Sequence, residues 1–232
     1  MLAEAMRTLV LAAGLVQGAN VLREAGNRVL GLPELVGTIA GARRAKKLRV
    51  AVLILRDEAG APVATEAEVA PALEEAERVL RAAAGVELVA AEEPLVSTLS
   101  APGPRTALDA PCAEGSFQAE FGPGGAYFRA QAVRDGPAAL VTGSGAPVTV
   151  FVVRNVVGRA GCSLGPLTDY VTIDRGALSE RLLRVLAHEL GHACGLPHSG
   201  DEQNLMFPRV PGTRLAPWQA AVFRSSRHVT YR

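Results

Sequence analysis

Residues 188–198 read HELGHACGLPH, and the fold and the chemistry predicted for this chain both follow from this stretch. An α-helix turns by about 100° per residue, so His188 and His192 lie about 40° apart on one helix face and one turn apart in height. Both imidazoles can therefore reach a single ion. Gly195 can leave the helix in a left-handed conformation, and the turn that follows can bring His198 back to the same ion.

Three imidazoles in one short window predict an open zinc site. The chain has 4 histidines in all, so this window holds most of them. Neutral imidazole is a good zinc ligand, and three protein ligands plus a water describe a catalytic site rather than a closed structural one. Glu189 lies beside the first ligand and is the natural general base. Zinc can lower the pKa of its bound water toward about 7, and a neighbouring carboxylate can take the proton and pass it to a leaving amine. The pattern therefore predicts hydrolysis of a peptide bond by a zinc-activated water.

The same stretch resembles the extended HExxHxxGxxH motif of the metzincin zinc endopeptidases, whose motif is followed by a Met-turn. The resemblance implies a zinc ligand at each of His188, His192 and His198, the general base at Glu189, the turn glycine at Gly195, and at Met206 the methionine beneath the zinc. Matrixins are the most similar subgroup, because Ser199 directly follows the third histidine and Pro208 stands two residues after the methionine. Astacin-like and serralysin-like members would have a tyrosine at position 208 as a further ligand.

The resemblance also implies a substrate and a cofactor. Residues 158–164 would pair, as a sheet edge, with a protein or peptide substrate in extended form. Residues 208–210 would wall the specificity pocket on the primed side. One catalytic zinc ion is the implied cofactor. A second zinc is not expected and calcium is doubtful, because only His228 is left over and the region before the zinc helix offers only Asp169 and Asp174.

The remaining pattern indicates an α+β (mixed α/β) fold, a zincin-like catalytic domain with a twisted mixed sheet. Leu48–Leu55 is nearly all aliphatic, which is typical of a strand buried on both faces. Further strands are predicted at 86–90, 126–132, 148–153 and 170–173, and the glycine-bearing stretch 158–164 is suited to an exposed edge. Strand, helix and strand in succession predict a crossover helix onto a parallel sheet.

The predicted helices have recognisable ends. Thr65 and Glu68 form a capping box that can open the crossover helix, which can instead begin at Pro71 as its first residue. The active-site zinc helix is predicted to begin near Ser179, and a closing C-terminal helix is predicted over 215–226.

The predicted peptidase domain covers residues 48–232, and residues 1–47 are predicted to form an N-terminal extension. Leu9–Val16 is an unbroken apolar run, counting Gly14, and is too short for the roughly 20 residues of a membrane span. It reads either as the hydrophobic part of a secretory signal, with Arg7 ahead of it, or as a packed or surface helix. The extension is thus a candidate signal or pro-segment, and secretion goes with the first reading.

Composition excludes several other classes of site and partner. The formal net charge of +1 gives no reason to expect nucleic acid as a partner. The 3 cysteines are too few for a four-thiolate zinc site, a disulfide-dense scaffold or a four-cysteine iron–sulfur cluster. Cys112 and Cys162 are candidates for a disulfide if the protein is exported. Cys194 is expected to be a small buried hydrophobe, and His228 to be a surface residue.

Three functions are compatible with this sequence. The leading hypothesis is a zinc endopeptidase that hydrolyses internal peptide bonds. The second is a catalytically inactive, zinc-containing peptide-binding module of the same fold, against which the intact Glu189 argues. A purely structural zinc site is the third, and three protein ligands disfavour it because they leave one coordination position open.

Overall fold

A computed structural model of the chain describes residues 44–112, 121–134 and 145–231, together with Val21 and Ala25. Almost all of the predicted N-terminal extension, including the candidate signal at 9–16, lies outside the described residues. The first described strand begins at Lys46, two residues before the predicted start of the domain. The division of the chain at residue 48 stays a prediction.

The fold is α+β, as predicted. Its strands are β1 (Lys46–Arg56), β2 (Val86–Ala90), β3 (Val96–Pro102), β4 (Asp109–Ala110), β5 (Val148–Val153), β6 (Asn155–Val156), β7 (Gly161–Ser163), β8 (Tyr170–Asp174) and β9 (Val229–Tyr231). Its helices are α1 (Glu66–Ala84), α2 (Arg105–Leu108), α3 (Pro123–Gln131), α4 (Val185–Ala193) and α5 (Pro217–Arg224), with a 3₁₀ helix at Arg175–Leu178. Among the described helices, none combines the length and hydrophobicity that a bilayer span requires.

A mixed sheet lies at the centre of the domain. Its main order is β2–β1–β5–β8–β7, and β3 and β9 also pair with β1. Strand β1 runs parallel to β2, β3 and β5, and β5 runs parallel to β8. Strands β7 and β9 are antiparallel to their neighbours β8 and β1. The predicted parallel pairing around the crossover helix is confirmed, and β7 ends the main order of strands, as expected for residues 158–164.

The two central strands are buried on both faces because both faces are covered. All six residues of β5 are buried, which explains the continuous aliphatic run in the sequence. On one face, Phe128 of α3 packs against Phe151 and Tyr170, with ring centroids 4.8 and 5.2 Å away. The alternate residues Val150 and Val152 point to the opposite face and belong to the same continuous core as α1 and α4.

Helix α3 replaces the strand that was predicted at 126–132, so that prediction is wrong. Short apolar runs do not distinguish a strand from a helix by periodicity. Pro123 starts the helix, and its fixed φ suits a first helical position. Gly124 lets the helix approach α2, because a Cβ at this position would lie only 2.6 Å from the carbonyl oxygen of Thr106.

Helix α1 begins with the predicted capping box. The Thr65 hydroxyl accepts from the N–H of Glu68, and the Glu68 carboxylate accepts from the N–H of Thr65. The alternative start at Pro71 is therefore wrong, and this proline lies inside the helix. Gly85 ends α1 with φ of 64°.

The zinc helix α4 begins at Val185, later than the predicted start near Ser179. The intervening chain forms turns in which the N–H groups of Leu182 and Val185 donate to the carbonyls of Ser179 and Leu182, at 2.8 and 2.9 Å. Such turns space leucines on the buried side much as a helix does. The apolar spacing in the sequence therefore could not distinguish these turns from an earlier start of the helix. The predicted C-terminal helix is confirmed as α5.

The prediction that His228 is a surface residue is wrong. Its side chain is fully buried, and its Nδ1 lies 2.8 Å from the carbonyl oxygen of Ala146. Strand β9 pairs with β1, and His228 directly precedes β9, so its side chain lies in the interior of the domain. Arg224 is also buried, and it donates to the carbonyls of Ala84 and Gly85, at 3.0 and 3.2 Å. A cation at the end of α1 is favourable because the carbonyls there carry partial negative charge.

Cys112 and Cys162 form a disulfide. Cys194 lies outside this disulfide and is fully buried, as expected. The bond joins residues 50 positions apart and attaches β7 to the segment after β4. It therefore restrains the edge of the sheet that lies beside the zinc helix.

Removing the disulfide with the double substitution Cys112→Ser and Cys162→Ser should lower the free energy of unfolding. For a closed loop of 50 residues, the loss of chain entropy in the unfolded state is worth up to about 4 kcal/mol. Urea unfolding followed by circular dichroism measures the change. Dithiothreitol should shift the wild-type midpoint in the same direction and leave the double variant unaffected. Equal midpoints for wild type and double variant would contradict this prediction.

Candidate metal centre

Three histidine side chains converge at the end of helix α4. The Nε2 atom of His192 lies 3.1 Å from the Nε2 of His188 and 3.1 Å from the Nε2 of His198. One ring nitrogen from each histidine lies within 4.8 Å of the others. The sequence prediction that these three imidazoles meet is therefore confirmed in its geometry. Within the described ranges, this is the one group of three or more histidine, cysteine, aspartate and glutamate side chains that could share a metal ion.

The local backbone explains why His198 returns to the helix. Gly195 has φ of 87°, in the left-handed region that favours glycine. The N–H of Leu196 donates to the carbonyl of Gly191 at 3.0 Å, and the N–H of Gly195 donates to that of His192 at 2.8 Å. These two bonds form a Schellman motif, which ends the helix and reverses the chain.

The protonation pattern of the triad fits a metal ion. The Nδ1 atoms of His188 and His192 lie 2.8 and 2.7 Å from the carbonyl oxygens of Leu205 and Leu196. A carbonyl only accepts, so each Nδ1 carries the proton and each Nε2 presents a lone pair. Two lone pairs 3.1 Å apart repel each other unless a cation lies between them. Nitrogens bound at 2.0–2.1 Å to one tetrahedral zinc ion lie about 3.3 Å apart, so the observed spacing suits zinc.

Burial favours the neutral, ligating form of both rings. It lowers the pKa of His188, an effect that the hydrogen bond to Leu205 partly opposes. It also lowers the pKa of His192 to about 4, and the nearby His188 acts in the same direction. Both imidazoles are therefore uncharged near neutral pH, as metal ligation requires.

Met206 is fully buried. It packs against Gly191, where a Cβ would lie 2.5 Å from the Met206 sulfur. The Met206 carbonyl accepts from the N–H of Ser199 at 2.9 Å, which ties the turn to the residue after His198. The turn that contains Met206 therefore contacts the zinc helix and fixes the chain beside the third histidine.

Two residues that the sequence analysis did not single out hold this turn in place. The Asn204 side chain accepts from the N–H of Met206 at 2.9 Å and donates to the Gln219 side chain at 2.7 Å. The Gln219 oxygen also accepts from the N–H of Ala216 at 2.9 Å, at the start of α5. A glutamine two residues after Pro217 is a helix-start signal that could have identified Gln219. No local signal pairs it with Asn204, because the two are joined only by the fold.

Glu189 is enclosed between α4 and the edge strand β7. Its side chain is 6% exposed. A Cβ at Gly161 would lie 2.8 Å from the Glu189 Cγ, so β7 can come this close only because residue 161 is glycine. Burial raises the pKa of the Glu189 carboxyl to about 8, while Arg159 and the backbone of Ser163 oppose the rise. The arrangement gives this cleft a carboxyl group beside the histidine triad.

A cleft of about 950 Å³ contains the triad and Glu189. Residues 158–166 line one part of it, and Pro208, Arg209 and Pro211 line another. The second segment is anchored to the start of the zinc helix, because the Arg184 guanidinium donates to the Pro211 carbonyl at 2.7 Å. The two segments that the sequence predicted to border a substrate therefore border the same cleft.

Part of the chain that carries the histidine triad is similar to a known peptidase family. Residues 155–216 match the family model of the matrixin peptidases. A solved structure, metalloproteinase-II from Bacteroides fragilis, is similar at 15% sequence identity with a TM-score of 0.47, and the match covers 76% of this chain. The present chain spans about half of that protein, 52% of its length. A comparison with proteins of curated function gives no match. The resemblance that the histidine motif predicted is thus confirmed for residues 155–216, which are similar to the matrixin peptidases.

Proposed function

We propose that this protein is a zinc-dependent endopeptidase that hydrolyses internal peptide bonds of an extended substrate. The observation that carries the proposal is that three converging imidazole Nε2 atoms and the Glu189 carboxyl lie in one cleft, next to an edge strand. His188, His192 and His198 would hold the zinc ion. Three protein ligands leave one coordination position for reactants.

The edge strand β7 suits the binding of an extended peptide. It pairs with β8 on one side, and no described strand pairs with its other side. An edge of this kind can accept a further strand through backbone hydrogen bonds, which recognises an extended chain more than its side chains. The peptide bond to be cut would then lie over the triad, with Glu189 beside it.

Glu189 is the proposed general base. A zinc ion in this cleft would polarise the scissile carbonyl and make a water more acidic. The positive charge of a bound zinc ion would favour the ionised form of Glu189 over the protonated form that burial alone favours. The Glu189 carboxylate would then accept a proton from the attacking water and donate it to the nitrogen of the leaving amine. The close contact with Gly161 restricts the movement of this side chain on the side that faces β7.

Gly195 and Met206 have supporting roles in this proposal. Gly195 gives the left-handed turn that returns His198 to the other ligands. Met206 supports the helix from below at Gly191, so that the two ligands on α4 keep their height relative to His198. The Cys112–Cys162 disulfide favours an oxidising compartment, since such bonds form and persist outside the cytosol.

Replacing Glu189 with Gln should abolish most hydrolysis but leave the zinc in place. The amide cannot accept the proton, and loss of a general base costs about 10²- to 10⁴-fold in rate. We expect kcat/KM on a cleaved peptide to fall by at least about 100-fold, with zinc content by mass spectrometry unchanged. Glu202→Gln is the matched control, because Glu202 is exposed and does not line the cleft. Undiminished hydrolysis in E189Q would contradict the mechanism. A zinc-loaded wild type that binds peptides but cuts none would favour the inactive binding module.

Replacing Gly191 with Ala should disturb the support that Met206 gives to the zinc helix. Alanine gains up to about 1 kcal/mol in helix propensity, but overpacking against Met206 costs about 1–3 kcal/mol. We expect a net loss of stability in thermal unfolding and weaker zinc binding in competition with a chelator. Gly200→Ala is the control, since nothing lies within 4 Å of a Cβ at that position. Stability and zinc affinity equal to wild type in G191A would contradict the supporting role.

A further inference from the structure

Two arginines give the cleft a charge that its proposed chemistry does not require. Arg159 and Arg209 both line it, and each comes from a different segment of the chain. Among the described residues that line the cleft, Glu189 is the only acidic one, and it is buried against β7. The described lining therefore carries an excess of positive side chains, although the whole chain has a net charge of only +1.

Arg159 is held at the mouth of the cleft by a tight turn. Its N–H donates to the carbonyl of Val156 at 3.0 Å, and Gly158 in this turn has φ of 74°. The side chain is exposed, and it lies two residues before Gly161, where β7 begins. Arg159 is therefore next to the strand edge along which an extended peptide would bind, and it lines the cleft.

Arg209 lies in the other segment that borders the cleft. It is exposed, and its guanidinium has no ion pair or hydrogen bond with any described residue. The segment around it contains Pro208 and Pro211, whose rings restrict the backbone. The bond from Arg184 to the Pro211 carbonyl holds that segment against the zinc helix. An unpaired cation on a restrained segment is available to a group on a bound ligand.

We propose that Arg159 and Arg209 make this cleft selective for peptides with aspartate or glutamate side chains near the bond to be cut. The inference rests on the proposed peptidase function and adds the chemical class of its substrate. A guanidinium binds a carboxylate with paired, charge-assisted hydrogen bonds, whereas it repels lysine and arginine. Because the two arginines lie on different segments, acidic side chains at two positions of one peptide can be recognised.

A matched set of peptides tests the proposal. A cleaved peptide is made in three forms that carry Glu, Gln or Lys at each position in turn, and kcat/KM is measured with the full chain loaded with zinc. We expect wild type to prefer Glu over Gln by about fivefold at one or two positions, which corresponds to the upper range of a surface ion pair. The preference should fall in 0.5 M sodium chloride, because salt screens exposed charges.

Variants assign the preference to the two side chains. Arg209→Gln and Arg159→Gln should each remove the preference for Glu at one position of the peptide. Arg209→Glu should reverse the preference at its position, so that the Lys peptide has the higher kcat/KM. Arg181→Gln is the control, since Arg181 is exposed and lies outside the cleft. Equal kcat/KM for the Glu, Gln and Lys peptides in wild type would overturn the proposal. A preference that survives when Arg159→Gln and Arg209→Gln are combined in one chain would also overturn it.

A binding measurement separates this proposal from the proposed function. Fluorescence anisotropy of the labelled Glu, Gln and Lys peptides is measured with zinc-loaded E189Q, in which the arginines are intact. Tighter binding of the Glu peptide supports the selectivity even if wild type cuts nothing. Cleavage by wild type without any preference for acidic side chains overturns the selectivity and leaves the peptidase function standing.

Discussion

Two hydrogen bonds from imidazole Nδ1 atoms to backbone carbonyls determine how the candidate metal centre is built. They join His188 to Leu205 and His192 to Leu196, and they turn the Nε2 lone pairs toward one point. Both carbonyls belong to irregular backbone rather than to the helix that carries the ligands. Orientation of the ligands therefore depends on two pieces of loop being held in fixed positions.

Most of the specific contacts around the site hold those loops. The Schellman motif at Gly195 fixes the carbonyl of Leu196, since the N–H of the same residue donates back to Gly191. The bonds from Asn204 to Met206 and Gln219 fix the turn that carries Leu205, and they connect it to helix α5. The C-terminal helix thus contributes to the metal centre although none of its residues lies among the three converging imidazoles.

Glycines on the zinc helix and on the edge strand let neighbouring elements come closer than any other residue would allow. Because Gly191 has no side chain, Met206 can pack directly against α4. Because Gly161 has no side chain, Glu189 can pack directly against β7. The first contact supports the ligands, and the second positions the proposed base at the edge where a substrate would bind. The disulfide at Cys162 restrains that same edge. Met206, Glu189 and the edge strand β7 therefore all contact α4 or one another, so the position of each depends on the others.

The sequence predicted those parts of the fold that local chemistry specifies. The aliphatic strands, the capping box at Thr65 and the convergence of the three histidines were all predicted, because each depends on spacing along a few residues. The sequence did not predict the helix at 123–131 or the burial of His228, because each depends on contacts with residues far along the chain. The same reason applies to Asn204 and Gln219, whose contact is 15 residues apart and has no local signature. Arg159 and Arg209 line one cleft only because the fold brings two distant segments together.

The most direct test of the account is X-ray absorption spectroscopy at the zinc edge on the zinc-loaded full chain. Three converging imidazoles with one open position predict three nitrogen scatterers and one oxygen scatterer at about 2.0–2.1 Å, with no sulfur shell. Addition of a hydroxamate should change the oxygen shell and leave the three imidazoles in place. A sulfur shell near 2.3 Å, fewer than three imidazoles, or a closed site that the hydroxamate does not alter would contradict the account.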